Sequence, residues 1–228
     1  MPSTSGTTSF FLEIADIIDD AMDMLGGEPV LGDEPVSARR SLNLLFIDLQ
    51  NRGVPLFAQD AQTLSLVADD KDYTLDADTV DILEGMLRRT DGAIVTDLQM
   101  QRISMEEYVQ LPNKEQTGRP SQFALDRQKN PVLYIWPVPE SGTTEQFYYW
   151  RIRKLEDINA SFQNPDIIYR YLPALTSGLA YYMGIKRPAV DFQRIQLLKA
   201  DYEEKLMRAF ESDTERVSMK IVPRLRIV

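Results

Sequence analysis

Residues 164–186 read NPDIIYRYLPALTSGLAYYMGIK, and they return helical periodicity to a chain whose middle alternates. Ile168, Tyr171, Leu172, Leu175, Leu179, Tyr182 and Met183 recur at the three- and four-residue spacing of one helix face. Asn164 suits an N-cap, because its carboxamide accepts an orphan N–H, and Pro165 suits the first helical turn, where a missing N–H costs nothing. The spacing predicts a helix from Pro165 to about Lys186, with Pro188 marking the break. Another is predicted from about Ala189 to Phe210, with Phe192, Ile195, Leu198, Tyr202, Leu206, Ala209 and Phe210 inward.

The opposite end of the chain has the same character. Phe11, Ile14, Ile17, Ile18, Ala21, Met22 and Leu25 predict a helix over 10–25, stopped by Gly26-Gly27 and Pro29. Ala38, Leu42, Leu45, Phe46 and Leu49 predict a second, opening near Pro35 behind Asp33 and Glu34 and ending at Gly53 and Pro55. Between the two pairs the period shortens to two. Strands are expected at 63–67, 73–75, 80–89, 93–103, 122–126, 132–136 and 145–155, with a turn at Thr90-Asp91-Gly92. Ser104-Met105-Glu106-Glu107 has the form of a capping box and opens a short helix to about Leu111. This order predicts an α+β fold. A helical bundle is expected from residues 1–60 and 160–212, with a β-rich insertion at 61–159 and an extended C-terminal arm at 213–228. Each helix pair has a one-sided apolar stripe, so the terminal helices are expected to cover one another.

Composition narrows the chemistry. The 228 residues include no Cys and no His, which excludes disulfides, thiolate nucleophiles, Cys/His zinc sites and histidine-based acid–base catalysis. Apolar residues make up 43% and charged residues 26%, an ordinary globular balance. With 25 basic against 35 acidic residues the net charge is −10, which repels nucleic acid and anionic membranes. No apolar run approaches a membrane span. The opening MPSTSGTTS has no basic segment of the kind that begins a secretory signal, so none is expected.

The charge is also segregated. Residues 1–36 carry eight acids and no Lys or Arg, whereas 216–228 carry Arg216, Lys220, Arg224 and Arg226 and no acid. Without those four the rest of the chain stands at −14. Met219, Ile221, Val222, Leu225, Ile227 and Val228 accompany the basic groups, and Pro223 disfavours a helix through them. A basic, apolar, extended tail on an acidic body reads as an arm that docks on a partner rather than a solvating tail.

No phosphate-binding loop, dinucleotide fingerprint, nucleophile elbow or zinc-protease pattern is present, and no catalytic, cofactor or metal residue is assigned. Asp69, Asp70 and Asp72 are close together, but the positions that an EF-hand fills with Gly and Glu hold Leu75 and Asp81, so an acidic surface turn is expected. Asp19 and Asp23 share a helix face that reads as solvated. The run Phe147-Tyr148-Tyr149-Trp150-Arg151-Ile152-Arg153 mixes stacking surfaces with cations, as single-strand binders do. The net charge favours a core strand with a cationic outer face instead. Lys114, Arg119 and Arg127 flank a turn, where interchain ion pairs and an ordinary polar loop are equally open readings.

Collinear landmarks run through most of the chain. They include Ala15-Asp16-Ile17-Ile18 with Leu25-Gly26-Gly27-Glu28-Pro29-Val30, Ala38-Arg39-Arg40-Ser41-Leu42-Asn43, Gln50-Asn51-Arg52-Gly53, and Asp72-Tyr73-Thr74-Leu75 before Val80-Asp81-Ile82-Leu83-Glu84. Next come Ile103-Ser104-Met105-Glu106-Glu107-Tyr108, Pro112-Asn113-Lys114 with Gly118-Arg119-Pro120-Ser121-Gln122, and Leu133-Tyr134-Ile135-Trp136-Pro137-Val138-Pro139. Gly178-Leu179-Ala180-Tyr181-Tyr182 and Val217-Ser218-Met219-Lys220-Ile221-Val222-Pro223 complete the set. Over roughly residues 12–225 the chain resembles the tail adaptor family of short-tailed bacteriophages, the head-to-tail connector or tail tubular protein A.

The resemblance implies a non-enzymatic virion protein at the head–tail junction, without cofactors. Twelve copies would form a ring under the portal protein, meet the tail nozzle protein and often tail fibres, and let DNA pass through the lumen. It implies a helical bundle with a β-rich insertion, and a C-terminal arm reaching the portal. A neck, stopper or head-completion protein of a longer-tailed phage is the nearest alternative. A sugar- or peptide-binding β module and a cellular enzyme are the alternatives of other classes.

Overall fold

A computed structural model describes residues 6–7, 10–26, 34–53, 56–91, 94–140 and 145–213. Two compact units divide the chain, one from Met1–Leu45 with Ile158–Val228 and the other from Phe46–Asp157. The terminal segments are helical and the middle is rich in strands, an α+β architecture.

Helix α1 (Ile14–Leu25) buries Ile14, Ile17, Ile18, Ala21, Met22 and Leu25, a stripe whose spacing leaves its acids in water. It starts later than the periodicity suggested. Glu13 is the N-cap and its N–H donates to Asp16 Oδ2 at 3.2 Å, so Phe10 and Phe11 stay outside the helix, 74% and 38% exposed. Helix α2 (Glu34–Arg52) runs across the division between the units and buries Ala38, Leu42, Leu45, Phe46 and Leu49.

The predicted helix at Pro165 is corrected. Ile168 is extended, Tyr169–Tyr171 makes a single 3-10 turn, and α4 begins only at Leu172, ending at Ile185. The cause is Pro173. A helix running in from Pro165 would lack its N–H and drive its ring into the preceding turn, whereas in the first turn of α4 neither penalty arises. Helix α5 (Phe192–Ser212) buries Leu198, Tyr202, Leu206 and Ala209. Phe192, expected inward, is 68% exposed because it is the first helical residue after the Asp191 cap.

Within the helical unit α4 passes α2 and α5 closely. A Cβ on Gly178 would lie 2.9 Å from Leu45 Cδ2 and 2.9 Å from the Tyr202 ring. Contacts across great sequence separation close this unit: Lys186 Nζ donates to Ser41 Oγ at 2.7 Å, and the Asn43 carboxamide exchanges two hydrogen bonds with the Ile158 backbone.

The other unit is two four-stranded sheets. The strands are β1 (Gln59–Ser65), β2 (Asp72–Thr74), β3 (Thr79–Asp91), β4 (Ile94–Gln99), β5 (Gln101–Arg102), β6 (Gln122–Asp126), β7 (Val132–Trp136) and β8 (Glu145–Arg153). One sheet has the order β1-β8-β3-β4 and is antiparallel throughout; the other has the order β2-β7-β6-β5, with β5 and β6 parallel. Tyr73, Leu87, Phe123, Leu133, Ile135, Phe147 and Tyr149 from both sheets form one buried core. The single strand expected over 93–103 is split. Met100 N–H bonds Gly85 O in one sheet, and Gln101 N–H bonds Ser121 O in the other, so the chain changes sheets between them. Short helix α3 (Met105–Gln110) opens on the capping box: Ser104 Oγ accepts from Glu107 N–H at 3.1 Å, and Glu107 Oε2 accepts from Ser104 N–H at 2.7 Å. The Ser104 backbone and then its hydroxyl hold the Glu107 carboxyl below its usual range.

Gly85 sits where the sandwich is tightest. A Cβ there would fall 2.5 Å from Phe147 Cζ and 2.9 Å from Phe123 Cε1, and both rings are fully buried. Gly85→Ala therefore forces two rings off their rotamers. A loss of about 1–3 kcal/mol is expected in urea unfolding, and an unchanged midpoint would show that the rings have room to move.

Candidate functional site

An open groove of about 1140 Å³ lies in the helical unit. Phe10, Phe11 and Leu12 ahead of α1 form one wall, with Asp20 and Met24 from the helix itself. Ile167, Ile168, Tyr169, Leu172, Pro173 and Thr176 form the other, and Lys205 of α5 closes it. The wall exists because Pro173 delays α4. The extended Ile168 and the 3-10 turn present apolar side chains sideways, and Tyr169 is 69% exposed. Such a surface suits an apolar segment rather than a small polar substrate.

Beside the groove lies a cluster of nucleophile and ion pair. Lys205 Nζ donates to Asp201 Oδ2 and to Ser177 Oγ, both at 2.6 Å, while Ser177 Oγ–H donates to Asp201 Oδ2 at 2.7 Å. Burial opposes the Asp201 charge, but the hydrogen bonds from Lys205 and Ser177 outweigh it and hold the carboxyl below its usual range. The arrangement does not activate Ser177. Its oxygen accepts from an ammonium that is itself paired with a carboxylate, and the residue is fully buried. The cluster ties α4 to α5.

The core strand expected over 147–153 is present, but Arg151 departs from the cationic outer face expected of it. It lies on the inward face of β8 with Phe147 and Tyr149, its side chain 5% exposed, and not on a cationic outer face. Arg151 Nε donates to Asp60 Oδ1 at 2.8 Å, and Nη1 donates to Asp78 Oδ1 and Thr79 Oγ1, each at 2.7 Å. Burial opposes the Asp60 charge too, yet hydrogen bonds from Arg151 and Gln62 leave its carboxyl below the usual range. The alternation of β8 was the available signal, since it put Arg151 on the same face as two core aromatics.

The remaining candidates resolve into structural roles. The acidic turn is held by the Tyr73 hydroxyl, which donates to the Val67 and Asp70 carbonyls and accepts from Val67 N–H; Asp69 takes a left-handed conformation with φ 63°. Among the described residues no group of three or more His, Cys, Asp or Glu is placed to hold a metal ion. Asp19 and Asp23 are exposed. Lys114 caps α3, donating to Val109 O and Leu111 O, Arg127 donates to Asp81, and Arg119 is exposed. No described helix is long and apolar enough to cross a membrane. The arm, with Arg216, Met219, Lys220, Ile221, Val222, Pro223, Arg224, Leu225, Arg226, Ile227 and Val228, lies outside the described residues.

The family profile for the SU10 adaptor protein matches residues 13–224, nearly the whole chain. The chain belongs to the SU10 adaptor protein family. It is a phage structural adaptor, a virion component of the head–tail junction. Among solved structures the adaptor is similar to a chain from the neck of an empty GTA particle computed with C6 symmetry. The two are 14% identical, with 81% of the adaptor and 87% of that chain covered and a TM-score of 0.27. No curated protein matches the adaptor.

Proposed function

We propose that the adaptor is one subunit of a dodecameric, non-enzymatic ring seated between the portal protein and the tail nozzle protein of a short-tailed phage, with tail fibres as further neighbours. The family match over residues 13–224 carries this reading. Charge supports it: a body at −14 repels a passing duplex, so DNA crosses the lumen without sticking. The C-terminal arm is the portal-binding element. Arg216, Lys220, Arg224 and Arg226 supply charge opposite to the body, and Met219, Ile221, Val222, Leu225, Ile227 and Val228 supply apolar surface that is costly to leave in water. Pro223 favours an extended course, which lays the arm on a sheet edge or in a groove of the partner.

A chain truncated after Asp213 tests the reading. It is expected to keep its helical content by circular dichroism and to lose incorporation into portal-containing particles. Docking of the full chain is expected to weaken as salt rises. Normal incorporation of the truncated chain would refute the portal-binding arm.

A further inference from the structure

We infer that, before assembly, the apolar groove of the helical unit holds the chain's own residues 214–228. Three independent observations converge on that occupant. The first is where the described chain ends. Tyr171 Oη donates to Asp213 Oδ2 at 3.1 Å, Arg170 Nη1 donates to Ser212 O at 2.9 Å, and Arg170 also pairs with Asp213 Oδ1 at 3.3 Å. Those anchors fall between Tyr169 and Leu172, two lining residues of the groove, so the segment sets out from the groove's own wall.

The second is pattern. From Arg216 to Ile221 the sequence alternates Arg-Val-Ser-Met-Lys-Ile, and after Pro223 it resumes as Arg-Leu-Arg-Ile. In an extended chain Val217, Met219 and Ile221 face one way and Arg216, Ser218 and Lys220 the other. One side matches an apolar trough and the other stays in water. The length is ample, since fifteen extended residues reach on the order of 50 Å.

The third is charge. Asp20 lines the groove, and Asp16, Asp19 and Asp23 are exposed on the same helix, whereas Glu215 is the single acid among residues 214–228. With the lining cation Lys205 already paired to Asp201, the acidic face of α1 beside an apolar floor complements a segment that is basic on one side and apolar on the other.

Docking on itself covers the exposed Phe10, Phe11 and Tyr169 together with the apolar side of the segment. A partner that takes the segment must compete with the groove. The portal of the preceding section would be such a partner, but the groove contact stands without it.

The native chain has no Cys, so paired cysteines report proximity without background. Phe10→Cys with Met219→Cys, and Tyr169→Cys with Ile221→Cys, place one thiol at an exposed groove position and one in the segment. Leu197→Cys with Ile221→Cys is the control, because Leu197 is 69% exposed and does not line the groove. Full-length protein is oxidised at low concentration without any partner, and the products are read by non-reducing gel and peptide mass. Both groove pairs are expected to close within one chain about ten-fold or more faster than the control. Phe11→Asp added to the Tyr169 pair, and high salt, are each expected to remove that advantage, with circular dichroism unchanged. Groove pairs no faster than the control, or disulfides formed only between copies, would overturn the inference. Neither result bears on incorporation of the truncated chain, so the two readings fail separately.

Discussion

Asp60→Ala combined with Asp78→Ala is expected to cost the β-rich unit about 3 kcal/mol, the lower end of what orphaning a buried charge costs. Arg151 keeps its charge whatever its surroundings, and its side chain is 5% exposed. Without Asp60 and Asp78 its polar partners are the Thr79 hydroxyl at 2.7 Å and the Asp76 carboxylate at 3.6 Å, which is why the lower figure applies. Arg151→Met is expected to cost less than the double variant. It leaves carboxylates that are 32% and 46% exposed and can return to water. A larger loss for Arg151→Met would show that packing around the guanidinium stem, not its charge, holds the strand. The pair also sets an acid limb. Asp60 titrates lower folded than unfolded, so its contribution is complete above the ordinary carboxylate value of about 3.9 and is lost as pH falls through the folded value. Arg151→Met should flatten that limb in pH-dependent urea midpoints.

Leu179→Ala is expected to destabilise the helical unit by about 3–5 kcal/mol, the upper part of the range for emptying a buried leucine site. The cost depends on whether neighbours can move into the space. Leu179 is fully buried, and α4 has little freedom to shift. At Gly178 the approach to Leu45 and Tyr202 already excludes a methyl group, while Ser177, Asp201 and Lys205 tie α4 to α5. A cavity is therefore retained rather than closed. The measurement is a fall in urea midpoint with the denaturant slope unchanged. A loss below about 1 kcal/mol would mean that the helices slide together after all.

Helices and strands were legible in the sequence wherever periodicity alone decides burial. The stripes of α1, α2 and α5 turned inward along each unbroken helix and failed at the ends, where Phe11 lies outside α1 and Phe192 is exposed at the first position of α5. Reading failed where one residue overrode a pattern. Asn164-Pro165 has the chemistry of a helix start, but Pro173 is incompatible with that start and compatible with one at Leu172, a conflict visible only when the two prolines are weighed together. Arg151 failed differently. Its alternation was plain, but Asp60 and Asp78 stand 91 and 73 positions away, and nothing local says that a cation on a core face is paired. The groove lay furthest from reach. Phe10 and Phe11 read as the first turn of a helix, and Ile168 and Tyr169 as the first turns of another, so both walls were assigned to helices that begin later.

The helical unit is completed by segments from both ends of the chain, and this imposes an order on synthesis. Residues 46–157 hold every strand of the two sheets, so the sandwich can close while the ribosome is still at work. Helix α1 and the first half of α2 have no such option. Ser41 waits for Lys186, 145 positions downstream, and Asn43 waits for Ile158, 115 positions downstream. At roughly 5–20 residues per second the delay is on the order of ten seconds, during which the apolar stripe of α1 stands in water. The acids on the other faces of α1, with no Lys or Arg among residues 1–36, leave this stretch uniformly negative around its apolar stripe.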